Sequence, residues 1–448
     1  MSVATEFMRA NRLFAVIVVA YLAFALLFAV RTPDWQAPDE PAHYNYIAQI
    51  AQRGCCPMIE PGDWDEAYLD QLKADNFAPA LLADLTAVQY EDHQPPLYYL
   101  ALTPLYRLTN GSLIALRLAS AALGLIVVGC TYVAARQWRP GQPQIALAAA
   151  ALVAFLPQYL GITASVNNDA LAWALTGLTL VATLHHLRDT NVNETSGLRA
   201  AAGLGLLVGL GLLTKVSTLL LLAVVPFALF LRWRRTGAPV RYLVGGLAVF
   251  GLVALALAGL WWLRNLGVYG VPDFLGLAAH DRVVVGQLRT ETLIAQVGVI
   301  EYLRRALTTT FNSFFGQLGW MALPLPGWVY VAIGLLLLLA IAGWFARRDA
   351  VGQTQPSQQH VTLVLAFAGL LAIMQYLYYN TEFVQFQGRY LFTGLIPFAL
   401  FVAQGGDGWR ARLWGSNSLG SYILVGLPLL LIPLDLWLLW RVIPGLAP

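Results

Sequence analysis

The chain has 448 residues, 58% of them hydrophobic and 11% charged, with a formal net charge of +3. Soluble domains carry roughly 25% charged residues, so this composition excludes a soluble globular protein, and a charge so near zero gives no reason to invoke nucleic acid. What remains is a polytopic membrane protein built from apolar runs of about 18 residues or more.

At the N-terminus, Arg9 and Arg12 precede "LFAVIVVAYLAFALLFAV". The run is long for a cleavable signal and no small-x-small site follows it, so it reads as a retained first span. About eleven spans are expected, within a range of 10–13: 13–30, 112–135, 144–160, 168–187, 199–213, 216–231, 241–263, 327–346, 361–379, 389–404 and 419–440. Segment 96–108 reads as an interfacial helix, and residues 1–448 as one all-α integral membrane domain. With the N-terminus in the cytoplasm, the short inner connections receive most of the arginines, among them Arg136, Arg188, Arg235, Arg241, Arg347, Arg348 and Arg410. That is the positive-inside pattern. It predicts a multi-pass protein of the cytoplasmic membrane with two long outer segments, 31–95 and 264–326.

The first outer segment holds twelve of the 24 acidic residues and opens with "PDEPAHYNYIAQIAQRG". Pro41 suits a first helical turn, with Glu40 or Asp39 as cap. If 40–53 is helical, Glu40, His43, Ile47 and Ile50 share one stripe, which predicts an amphipathic interfacial helix with its acidic start beside the first span. As caps alone these acids contribute about 0.3–1 kcal/mol each. Cys55 and Cys56 leave both free thiols and a vicinal disulfide open. No Cys/His spacing matches a zinc site.

Further polar residues follow in chain order. "YEDHQPPLYYLALTPLY" brings Asp92, His93 and Tyr98 to the end of the first outer segment, and "SVNNDALAWAL" sets Asn168 and Asp169 at the outer start of a span. Lys215 sits in an apolar stretch, 198–231, that is too long for one span. Two short helices meeting at Thr214–Lys215 put its amine near the outer interface, and intramembrane charges usually mark function. Arg264 stands where a span leaves the membrane, and Glu382, Gln387 and Arg389 cluster at another outer end. All of these map to one membrane face. Carboxylates beside cations at a membrane surface suit a lipid-phosphate leaving group: the cations hold the phosphate and a carboxylate removes a proton from an attacking hydroxyl.

The pattern resembles the GT-C membrane glycosyltransferases, in the branch with protein O-mannosyltransferases and the aminoarabinose transferase of lipid A. "PDEPAHYNYIAQIAQRG" occupies the place of that family's acidic pair after the first span. "HQPPLYYLAL", "NNDALA", "LLTKVSTLL", "RNLGVYG" and "QGRYLF" look like further recurring segments in the same order. The resemblance implies a GT-C-like fold and a sugar donor carried on a polyprenyl phosphate. Transfer to a hydroxyl of a lipid, cell-surface glycan or protein would then occur outside the cytoplasmic membrane, with inversion. By position Asp39, with Glu40 beside it, would be the catalytic base. Lys215, Arg264 and Arg389 would bind the donor phosphate, and His43, Asp92, His93, Tyr98, Asn168, Asp169, Glu382 and Gln387 would surround the substrates. No cofactor is implied as a requirement, although His43 one turn from Glu40 leaves room for a divalent cation. Two other readings stay open: a transporter or flippase for lipid-linked sugar, and a non-catalytic protein that binds it.

Overall fold

The computed structural model describes residues 3–346, 356–415 and 418–448, so Arg347 and Arg348 lie outside the described residues. Helix α1 (Val3–Arg31) has 29 residues. At about 1.5 Å per residue that exceeds the roughly 30 Å hydrocarbon layer. The chain then folds α2 (Glu40–Arg53), α3 (Glu66–Ala74) and a 3-10 segment (Pro79–Ala87) before α4 (Leu97–Leu108), which is too short to span. Helix α5 (Leu113–Trp138) crosses back.

Helices α6 (Pro143–Ala154) and α7 (Pro157–Thr163) divide the span expected over 144–160: they meet at a 60° bend. The cause is Pro157, which cannot continue α6 and instead opens α7. Helix α8 (Asp169–Arg188) follows. Then α9 (Glu194–Leu212) stops short and α10 (Leu221–Thr236) begins after a 3-10 turn. The break falls at Thr214–Lys215, where the excess apolar length predicts it. Helix α11 (Val240–Tyr269) packs close to α9 through Gly205, whose Cβ would lie 2.6 Å from the Phe250 carbonyl oxygen. Small residues permit this approach where no hydrophobic force separates helix from lipid.

Three helices, α12 (Leu277–Val283), α13 (Thr290–Val297) and α14 (Val299–Phe315), and a pair of two-residue antiparallel strands occupy the next segment. Helices α15 (Gly327–Ala346), α16 (Pro356–Tyr379), α17 (Leu395–Trp414), α18 (Ser418–Gly426) and α19 (Leu431–Trp437) complete the chain. Among the described residues nine helices are long and apolar enough to cross a membrane, ten with the bent pair.

The tenth expected span, 389–404, is built differently. A 3-10 turn covers Gly388–Gly394, and α17 runs on past Gln404 to Asp407 and Arg410. Asp407 is fully buried and accepts hydrogen bonds from Arg410 and, at 3.1 Å, from Gln144. Paired polar residues make α17 an interior helix rather than an apolar one.

At the end of the bundle that carries α2, a second, smaller core joins the two long segments. Ala42, Leu69, Leu72, Phe77, Leu85 and Tyr90 from the first pack with Ala279 and Val284 from the second. The stripe expected on α2 is buried throughout, Ile47 at 0% and Ile50 at 4% exposure. Asn45 donates to the Leu85 and Val88 carbonyls at 2.8 and 2.9 Å. The interfacial helix is therefore held on both sides and fixes the position of its own first turn.

Candidate active site

Asp39 is the residue before α2, with a left-handed backbone (φ 65°) that aspartate tolerates better than most residues. Its side chain caps nothing. Pro41 lacks an N–H, so the first turn asks less of a cap, and the carboxylate turns away. One oxygen accepts from the Tyr90 hydroxyl at 2.9 Å and the other pairs with the Arg389 guanidinium. The side chain keeps 21% of its surface open, enough to be reached. Burial works against its charge, but Arg389 outweighs that, and with His43 and the Tyr90 hydrogen bond it holds the carboxyl at about 2.

Arg389 is buried, and its Nε and Nη1 have no partner. It is carried by the 3-10 turn after Gln387, which approaches α14 so closely that a Cβ on Gly388 would collide with the Phe314 backbone. Lys215, at the break between α9 and α10, extends to Asp169 at 2.7 Å. The other oxygen of Asp169 is buried without a partner. Asn168 donates to the Tyr99 hydroxyl at 3.3 Å, and the same hydroxyl meets His43 Nδ1 at 2.9 Å. Burial pushes His43 down to about 3, with the nearby Lys215 acting in the same direction, so its imidazole is neutral.

Glu91 completes the cluster and was not singled out from the sequence, where it looked like one more acid in an acidic loop. One ligand atom from each of Asp39, His43 and Glu91 lies within 4.8 Å of the others. Burial, with the Asp39 charge beside it, raises Glu91 to about 7, and its Oε2 is buried without a partner. Two carboxylates, one of them with an orphaned oxygen, and a neutral imidazole are a donor set that fits a hard or borderline divalent cation.

Several expected residues do other work. Glu40 is fully buried and bound twice by Arg117, at 2.8 Å (Nε) and 2.6 Å (Nη2), and also by the backbone N–H groups of Val166 and Trp35. Neither oxygen is left for a substrate, so Glu40 is an anchor. Arg117 goes on to the Ala29, Thr32 and Pro33 carbonyls. That joins α1, α2, α5 and the entry to α8. Arg264 donates to the Cys56 and Pro57 carbonyls at 3.1 and 2.7 Å and stacks on Trp261. It ties the first long segment to α11 and does not join Arg389. Cys55 and Cys56 in that stretch form the vicinal disulfide.

Tyr98 is fully buried, its hydroxyl shared between Ser120 and the Asn167 N–H, so it is not open to substrate. Glu382 is half exposed and pairs with Arg289 at 3.1 Å, outside the cluster. His93 lies against His280, their ring centroids 4.4 Å apart and tilted by 49°, and its Nδ1 lies 3.2 Å from the Tyr90 carbonyl. Gln387 serves as the residue before the Arg389 turn.

Asp92 faces Gln49 of α2, which donates to it at 2.7 Å. Burial raises its carboxyl to about 8 despite that hydrogen bond. The folded state therefore holds a proton that the unfolded chain, with an ordinary value near 4, has released. Stability falls as pH rises from about 4 to 8. The Tm of the wild type should drop by several degrees across that window, and Asp92→Asn should flatten the dependence. An unchanged slope in the variant would remove Asp92 from this role.

The model of the family described as Predicted membrane protein (DUF2142) matches residues 80–402, more than two thirds of the chain. The chain belongs to that family. A search of the curated proteins gives no match for this DUF2142 chain. Among solved structures it is similar to ArnT from Cupriavidus metallidurans. Against ArnT bound to undecaprenyl phosphate the TM-score is 0.52 at 16% identity, covering 96% of this chain and 73% of that one. Against the apo state the TM-score is 0.56 at 16% identity, covering 99% and 74%. At that identity the likeness is one of fold: the DUF2142 chain is an all-α, multi-pass membrane protein of GT-C-like architecture.

Proposed function

We propose that this protein is an inverting glycosyltransferase that moves a sugar from a polyprenyl-phosphate donor to a hydroxyl acceptor on the outer face of the cytoplasmic membrane. The observation that carries this is Arg389. A buried guanidinium with two unpartnered nitrogens, beside a carboxylate and within reach of the field of Lys215, is built to receive an oxyanion. A donor phosphate that binds Arg389 competes with Asp39 and so releases that carboxylate for chemistry. The acceptor oxygen then forms its bond to the anomeric carbon while its proton passes to Asp39. The bond from that carbon to the phosphate oxygen breaks, and the electron pair leaves with the phosphate. Arg389 and Lys215 stabilise the departing charge, and no general acid is needed.

The membrane part supports the same reading. A cavity of about 1000 Å³ with almost wholly apolar walls lies among α14, α15, α16 and α17. Leu391 and Gly394, on the turn that carries Arg389, line it. A polyprenyl chain in this cavity would bring its phosphate to Arg389. The solved ArnT structure holds undecaprenyl phosphate, a carrier of that kind. Two fixed cations supply the positive charge a phosphate needs, so a divalent ion is not required. Asp39, His43 and Glu91 are the residues that would hold one, and it would supply further positive charge to the site.

Three outcomes are expected with purified protein and a panel of polyprenyl-phosphate sugars. Polyprenyl phosphate is released in the presence of acceptor. Chelation with EDTA leaves that release within roughly twofold of its starting rate, because the phosphate's counter-charge is carried by side chains. Lys215→Met weakens donor binding on the order of tenfold, the scale of one charge-assisted contact. Absence of both release and donor binding across the panel would sink the assignment and favour a transporter.

A further inference from the structure

At the helix ends opposite Asp39, a second and unrelated cluster of cations encloses a small cavity. The end of α8, the start of α9, the end of α10 and the start of α11 meet around a space of about 40 Å³. Arg232 lines it and is 9% exposed. Its Nη2 donates to the Asn191 carbonyl at 2.9 Å, but its Nε is buried with no partner, and the nearest carboxylate, Asp189, stands at 3.8 Å. Arg235 lies one turn further along α10. It stands outside the cavity wall and holds the Asp189 carbonyl at 3.1 Å, which fixes the end of α8 beside Arg232. His186, equally buried, shares the wall. The only carboxylate lining the cavity, Glu194, sits at the rim, 4.0 Å from Arg241, and both side chains are more than half exposed.

We propose that this cavity holds the phosphate of an anionic membrane phospholipid. A buried Arg232 guanidinium that lines the cavity with an unpartnered Nε and no carboxylate in hydrogen-bond range, with Arg241 beside it in the wall, calls for an oxyanion, and phosphate matches that chemistry. Its source follows from depth. The cavity lies where the spanning helices α8, α9, α10 and α11 end, and Trp233 and Tyr242 line it. Those residues mark the headgroup layer. Leu198, Leu229 and Leu243 carry the wall towards the apolar interior, where acyl chains would lie. Surrounding arginines exclude a choline headgroup and admit a glycerol one; basic pockets between spanning helices recognise anionic headgroups in this way.

The test uses the full chain in detergent, titrated separately with phosphatidylglycerol, phosphatidylcholine and inorganic phosphate, with Tm as the readout. Phosphatidylglycerol should raise Tm by several degrees more than phosphatidylcholine, and Arg232→Gln should need roughly tenfold more of it for the same increment. Gly246→Leu provides an independent variant. Gly246 lines the cavity and nothing lies within 4 Å of where its Cβ would be, so a side chain can start there and its bulk should abolish the increment. Asp39→Asn, at the other face, should leave it intact. Equal effects of the two lipids, or an increment that survives Gly246→Leu, would overturn the site. Inorganic phosphate reproducing the full increment would overturn the lipid source.

Discussion

Asp39→Asn should abolish release of polyprenyl phosphate while donor binding survives. Removing a general base costs about 10²–10⁴ in rate, which is roughly 3–5 kcal/mol of transition-state stabilisation. The amide keeps the shape of the carboxylate but cannot accept the acceptor's proton. It also removes the negative partner of Arg389, whose Nε and Nη1 already lack partners. That cation then has no competitor for the phosphate, so the Kd for the donor should stay level or fall. A merely structural role predicts the reverse, with donor affinity and Tm lost together. Turnover that persists in the variant would pass the proton transfer to Glu91, the other carboxylate of the cluster, which burial raises to about 7.

The spans were legible because lipid imposes a length and an apolar composition that few other environments require. The broken helix at Lys215 was legible for the same reason: 198–231 is too long for one span and short for two full ones. Where the reading failed, polar residues were satisfied inside the bundle. Helix α17 hides Asp407 behind Arg410 and Gln144, and an apolar count cannot anticipate a partner 263 residues away. The site was legible as a face, and its membership was not. Residues at the ends of spans all map to one side, yet Arg264 and Glu382 find partners of their own there, with the Cys56–Pro57 carbonyls and with Arg289.

Arg117 shows the signal that was available. It is an arginine inside the apolar run 112–135, subject to the same rule that drew attention to Lys215. Applied evenly, that rule asks for its counter-charge, and the acidic pair after the first span is the natural supplier. The pair then divides: Glu40 belongs to Arg117 and Asp39 to Arg389. Two adjacent carboxylates on a left-handed N-cap residue and a first-turn residue point in different directions, which is why one can anchor while the other stays open.

Glu40→Gln should cost the fold, not the chemistry. The substitution leaves Arg117 as an uncompensated charge that is 1% exposed, and breaking a buried pair on one side costs about 3–5 kcal/mol. Membership in a network that also holds the Ala29, Thr32 and Pro33 carbonyls and the Val166 N–H puts the loss at the upper end. Against a total stability of about 5–15 kcal/mol, the variant should yield little monodisperse protein at 37 °C and a Tm many degrees lower. The fraction that does fold at low temperature should keep its turnover per active molecule to within about threefold, because Asp39, Arg389 and Lys215 are untouched. Replacing Glu40 and Arg117 together by glutamine and methionine should recover part of the loss, since no lone charge then remains in the interior. An unaltered Tm with turnover gone in Glu40→Gln would reverse the division and make Glu40 the base.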